Sequence, residues 1–238
     1  MRSALRNVAV SYWEQGDNEL ALSFLERAIA IKEPPDDAAA IATTENIRGL
    51  ILSSLKRYKE ARSALERGLE QARKIHDVRL EVLLLSARSN TLLMLNDLKG
   101  SVDDLLQIEA IAKPGGMDRV RINTLGSLAE RYVAMNQPET ALPYAVESLA
   151  LARRTQSARL SWPLFDVGRT YAALGRIPEA RAAYEESIAN LENWSAQTIG
   201  SDNEGARLFD MRGSAYYELL ELRLKTVMSS PPCSFLSG

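Results

Sequence analysis

The sequence predicts an all-α protein, an α-solenoid of five antiparallel helix pairs with a C-terminal capping helix. Three observations predict it. Ala, Leu, Glu and Arg dominate the composition, while 238 residues hold only 13 Gly and 9 Pro, and such usage favours helix. A set of residues recurs at a spacing of 40. Around each recurrence, apolar residues fall at helical intervals on both sides of a turn-forming position.

The recurrence is clearest when anchored on Ala21, Ala61, Ser101, Ala141 and Ala180, at intervals of 40, 40, 40 and 39. Twelve residues before each anchor stand Ala9, Gly49, Ser89, Ala129 and Gly168, all small. Nine before stand Tyr12, Leu52, Leu92, Tyr132 and Tyr171, all large and apolar or aromatic. Five before stand Gly16, Lys56, Asn96, Asn136 and Gly175, mostly residues that end helices or tolerate left-handed backbone. Four after stand Leu25, Leu65, Leu105, Ala145 and Tyr184. Agreement of several columns in five registers marks a repeat architecture. The small residue allows two helices to approach closely, and the large one fills the space beside them. A single pair cannot cover its own apolar face, so neighbouring pairs must stack.

The elements follow in order. The first unit spans about 1–35, with Leu5, Val8, Ala9 and Tyr12 before the Gly16 turn and Leu20, Ala21, Phe24, Leu25 and Ala28 after it. Pro34-Pro35 should break the helix before the second unit, about 41–75, which contains "KRYKEARSALERGL". The third, about 81–115, is the weakest match, because Ser101 and Ile108 replace the expected alanines. "KPGG" at 113–116 separates it from the fourth, about 121–155. Ser161-Trp162-Pro163 opens the fifth, about 160–192, where "GRIPEARAAYEESI" repeats the phrase of the second. Residues 193–205 read as a polar loop. Residues 206–228 read as a capping helix with Phe209, Tyr216, Leu220 and Leu224 along one side, and 229–238 as a disordered tail.

The small residue, Tyr, Gly turn, Ala and aromatic of "VGRTYAALGRIPEARAAYEESI" (167–188) resemble the tetratricopeptide repeat (TPR), over residues 1 to about 190. The period departs from an ordinary TPR, which has about 34 residues. Lengthening both helices by nearly a turn accommodates the difference. Long repeats of this kind resemble those of large bacterial regulators and kinesin light chains. The segment from Ser187 to Lys225, with Arg207, Phe209, Tyr216, Tyr217, Leu219 and Leu220, resembles the region that joins long TPR arrays to a caspase-like CHAT domain. That resemblance implies the regulatory or sensor arm of a TPR–CHAT-type protein, here without its protease. The sensing arm of a bacterial transcription regulator, or another signalling adaptor, is the alternative.

The TPR resemblance implies that the first helix of each pair lines a concave groove. Projecting that face selects Arg6, Trp13, Asn46, Asn90, Asn123, Glu130, Trp162, Phe165 and Arg169 as partner-binding residues. Amides pair with an extended backbone, and Trp or Arg supplies anchoring contacts. Trp13, Trp162 and Phe165 serve either as groove anchors or as packing between repeats, and spacing alone leaves both open. The Lys/Asn clamp of chaperone-binding TPRs is not reproduced, since Val10, Ile47 and Leu83 stand where polar residues are expected.

Other functions find little support. A net charge of −2 with interleaved signs offers no basic field for nucleic acid. Apolar runs such as "VLLL" at 82–85 are far short of the roughly 20 residues of a membrane span. The single cysteine, Cys233, excludes an internal disulfide, and a cytoplasmic location is the default. His76, the only histidine, reads as a surface or cap residue, and Cys233 lies in the tail, so no catalytic dyad or metal site is expected. Asp103-Asp104 and Glu185-Glu186 are adjacent on predicted helices and read as solvated surface. Phosphate-loop, dinucleotide and nucleophile-elbow motifs are missing. The expectation is a non-enzymatic protein without cofactor that binds a protein or peptide, with its oligomeric state undetermined.

Overall fold

The computed structural model describes residues 1–31, 37–157, 160–197 and 216–221. Pro34-Pro35, residues 198–215, residues 222–238 and Cys233 lie outside the described residues, and with them most of the predicted capping helix and the whole predicted tail. The described residues form helices throughout, in two compact units, 1–117 and 118–238.

The first unit contains three helix pairs: α1 (Arg2–Glu14) with α2 (Asn18–Ala30), α3 (Ala38–Ser54) with α4 (Tyr58–Lys74), and α5 (Val78–Met94) with α6 (Leu98–Ala112). The second contains α7 (Asp118–Ala134) with α8 (Pro138–Arg154), α9 (Ser161–Ala173) with α10 (Ile177–Gln197), and a short helix, α11, over 216–221. Within each unit, every pair stacks on the next. Helices α3, α4, α5, α7 and α8 are each 17 residues long, and this length absorbs the long period. Helices α3, α5 and α7 begin three residues before the predicted unit starts at 41, 81 and 121. Two of these starts have a visible cause. The Asp37 carboxylate accepts from the Ala39 N–H, and Asp77 accepts from Leu80 N–H, which satisfies orphan donors of the first turn. Helix α10 continues five residues past the predicted end at 192, because no Gly or Pro interrupts the chain there.

The turns explain the column five residues before the anchor. Gly16, Lys56, Asn96, Asn136 and Gly175 all hold positive φ, between 57° and 88°. In each, the following N–H returns to a carbonyl five residues earlier: Arg57 to Leu52, Asp97 to Leu92, Gln137 to Tyr132. This is the Schellman closure of a helix C-terminus. The acceptors Tyr12, Leu52, Leu92, Tyr132 and Tyr171 form the column nine before the anchor. A single position therefore both packs the pair and locks its turn. His76 (φ 55°), Gly116 (63°) and Gln156 (50°) do the same between pairs. His76 is exposed and caps α4.

The small column is a distance requirement. A Cβ on Gly49 would lie 2.5 Å from Leu65 Cγ, and one on Gly168 would lie 2.6 Å from the Tyr184 ring. The small residue thus meets the side chain four after the anchor, and in the third pair it also meets the anchor itself, Ser89 Oγ lying 2.8 Å from Ser101 Oγ. Where that side chain is Ala145, the small residue is Ala129, and both are fully buried. Tyr12 stacks on Phe24 at 5.2 Å, and Tyr132 on Tyr144 at 5.5 Å.

The third pair departs from the predicted surface. Asp104 is 2% exposed, and Arg88 grips it through Nε at 2.8 Å and Nη2 at 2.6 Å. The expectation of a solvated Asp103-Asp104 pair therefore holds for Asp103 alone. Helix period separates the two neighbours by about 100°, turning Asp104 toward α5. Glu185 and Glu186 are exposed, and Glu186 meets Arg153 at 2.7 Å.

Candidate partner-binding site

In the second unit, α7 and α9 lie side by side as the first helices of consecutive pairs. Between them is an open cleft of about 630 Å³. Small residues create it. Asn123, Gly126 and Ser127 leave the α7 wall low, and a Cβ on Gly126 would lie 2.6 Å from Asp166 Oδ2. The wall is held from behind by Ser148 of α8, fully buried, whose hydroxyl donates to the Ile122 carbonyl at 2.9 Å. Ser187 of α10 makes the equivalent bond to the Ser161 carbonyl at 2.8 Å.

Charge and aromatic surface share the cleft. Glu130 pairs with Arg131 through one carboxylate oxygen and faces Arg169 Nη1 at 3.6 Å through the other. The Arg169 guanidinium also lies 5.8 Å from the Phe165 ring centroid, and Phe165 tilts against Tyr184 at 5.6 Å. Trp162 stands 46% exposed at the rim. Arg119 is exposed at the N-terminal end of α7. Burial pushes the Asp166 carboxyl up to about 7; Arg169 and Arg131 oppose the rise and Glu130 adds to it.

Five of the nine predicted groove residues, Asn123, Glu130, Trp162, Phe165 and Arg169, line this one cleft. The other four belong to the first unit. Arg6 is half-buried on α1, and Asn90 is exposed on α5. Asn46 is 5% exposed, with its Oδ1 enclosed and unpartnered. Trp13 packs against the cluster of Ala9, Leu25 and Leu52, and its Nε1 donates to Ser54 Oγ at 2.9 Å. Phe165 combines both readings of the aromatics, lining the cleft on one side and packing on Tyr184 on the other. Sequence reasoning passed over Arg119, Ser127 and Asp166. A signal for Asp166 existed: its column reads Asn7, Ile47, Ala87, Ser127 and Asp166, so an acid appears only in the fifth unit.

Among the described residues, no cluster of three His, Cys, Asp or Glu side chains could hold a metal ion, and no helix is long and apolar enough to cross a membrane.

Profiles of the tetratricopeptide repeat match residues 2–33, 46–75 and 120–193, together more than half of the chain. The chain belongs to the tetratricopeptide repeat family. No curated protein matches this TPR chain by sequence. Its fold is similar to the nearly identical TPR-like repeats of a Podosopora anserina kinesin light chain protein, at 18% identity and a TM-score of 0.72, covering 82% of this chain and 96% of that one. It is also similar to a signal transduction ATPase with numerous domains and a TPR sensor from Pyrococcus horikoshii, at 14% identity and a TM-score of 0.73, covering 95% of this chain and 35% of that one. YrrB, a TPR protein with an unusual peptide-binding site, matches at 20% identity and a TM-score of 0.51, covering 78% and 84%.

Proposed function

We propose that this TPR protein is a non-catalytic interaction scaffold that holds a peptide or an extended protein segment in the cleft between α7 and α9. The observation that carries this reading is the convergence of Asn123, Glu130, Trp162, Phe165 and Arg169 on one open, concave surface. An exposed indole and a guanidinium held at a ring face are the side chains that dominate binding energy at interfaces, and Asn123 offers both donor and acceptor to a backbone. The peptide-binding site of YrrB lends the reading support by fold. Screening an end-blocked peptide library against the wild type and against Trp162→Ala and Arg169→Ala tests it. Captured peptides should bind each variant at least about tenfold more weakly, with helicity by circular dichroism unchanged. Unchanged affinity in both would place the binding face elsewhere.

Two settings in a cytoplasmic signalling protein fit such an arm. One is the sensor half of a TPR–CHAT-type protein, drawn from the C-terminal resemblance over 187–225, of which residues 187–197 and 216–221 are described. The other is the sensing arm of a regulator, favoured by the fold likeness to a TPR sensor. Reading the gene past codon 228 separates them. A His/Cys protease signature downstream supports the first, and an adjacent helix-turn-helix or nucleotide-binding domain supports the second.

A further inference from the structure

We propose that the α7/α9 cleft selects a partner segment bearing a basic side chain, lysine or arginine, which seats its charge beside Asp166 and lays its alkyl stem on Trp162 and Phe165. This rests on the cleft being the docking surface and adds what it recognises.

Glu130 and Arg169 are already engaged within the cleft. Glu130 uses both oxygens, one on Arg131 and one toward Arg169, so it neutralises cations the protein itself provides. Arg169 is further held at the face of Phe165. Arg119 lies seven positions before Gly126, about 10 Å along α7 from the level of Asp166. Asp166 differs from all of these. It lines the cleft, it sits against the bare backbone of Gly126, and among the described residues no cation lies within ion-pair distance of its carboxylate. The charged groups around it are Arg169 on its own helix and Glu130 and Arg131 on α7, with the Tyr184 ring contributed by α10. Their opposing influences leave burial dominant, and the carboxyl holds its proton to about pH 7. Among the described residues that carboxyl has no ion-paired counter-charge, and an incoming ammonium or guanidinium supplies one while displacing the proton.

The rest of the lining suits the same visitor. Trp162 precedes Asp166 by one helical turn and shares its face. Its exposed indole can carry an alkyl stem, and ring faces attract cations. Phe165 already shows that preference by holding Arg169. An acidic side chain in the same place would meet Asp166 and Glu130 and gain only Arg169, which is engaged.

The test uses the full chain and fluorescent, end-blocked octapeptide pools, randomised except for a central Lys, Arg, Met or Glu. The Lys and Arg pools should bind about tenfold more tightly than the Met pool, with the Glu pool weakest. Asp166→Asn, nearly isosteric, should reduce the preference for the Lys and Arg pools over the Met pool to about twofold or less. In the wild type the preference should grow between about pH 6 and pH 8, and in Asp166→Asn it should be flat over that range. A Met or Glu pool binding as well as Lys, or a basic preference that survives Asp166→Asn, overturns the proposal. If the pools bind equally and Trp162→Ala abolishes all of them, the cleft still docks peptides and only the basic selectivity falls. If no pool binds, or Trp162→Ala is without effect, both readings fall.

Discussion

The third and fifth helix pairs solve the same packing problem with opposite chemistry. In α9/α10, Gly168 lies under the ring of the fully buried Tyr184, and the seam is closed by volume. In α5/α6, the equivalent small positions are Ser89 and Ser101, both fully buried, with hydroxyls 2.8 Å apart. Beside them, Arg88 and Asp104 occupy places that in the first pair are Val8 and Phe24. The repeat therefore specifies a separation between helices rather than an apolar seam. Polar groups serve as long as each finds its partner.

That equivalence can be broken from the polar side first. Asp104→Ala leaves Arg88 without its carboxylate in a largely enclosed site, and should cost about 3 kcal/mol in urea unfolding, the low end for a broken buried pair because Arg88 keeps some solvent. Converting both to apolar residues, Arg88→Met with Asp104→Leu, should recover most of that loss. If the single change costs little, the ion pair is surface decoration and the comparison fails. On the other side, Gly168→Ala forces a methyl group into the Tyr184 ring and should cost about 2 kcal/mol. Combining it with Tyr184→Leu should cost less than the sum of the single changes, as a double-mutant cycle would show.

A third measurement asks whether the fifth pair is free of electrostatic cost. Asp166 on α9 has its folded pKa raised from 3.8 to about 7. Between those values the folded chain keeps a proton that the unfolded chain releases, so stability falls as pH rises through this window and stays reduced above it. Asp166→Asn should therefore raise stability at pH 8 by about 1–2 kcal/mol and leave it nearly unchanged at pH 4. Thermal melts at the two pH values check this, and an equal gain at both would exclude the carboxyl as the cause. The smallest effect is expected for Ser101→Ala. Ser89 can still donate to the residue 101 carbonyl, at 3.2 Å, so the loss should be about 0.5 kcal/mol by chemical denaturation.

The helix pairs were legible because their causes are local and repeated. Columns such as Gly49/Leu65 and Gly168/Tyr184 encode one close approach several times over, so chance agreement is small. The turn positions were legible for the same reason, and Lys56 and Asn136 hold the left-handed backbone that their column suggests. The buried Arg88–Asp104 pair was not legible, since it occurs in one unit only and an acid on a helix ordinarily faces water. The cleft was legible in part. Asn123, Trp162 and Arg169 fall on the projected face, but Asp166 gains its character from Gly126 on another helix and from Glu130 and Arg131 beside it. Its column marks Asp166 only as an acid where the other four units have none, and the neighbours that shift it stand in other columns. Trp13 shows the converse, because a groove position by projection is engaged in packing between α1 and α3.

The left-handed turns leave heat tolerance in reserve. Lys56, His76 and Gln156 hold φ of 60°, 55° and 50°, where a side chain costs roughly 1 kcal/mol that glycine does not incur. Their main-chain bonds already close each turn without help from the side chain. Glycine at Lys56 or His76, both in the first unit, should raise the melting temperature without changing any residue of the α7/α9 cleft, so the fold can be hardened away from that surface.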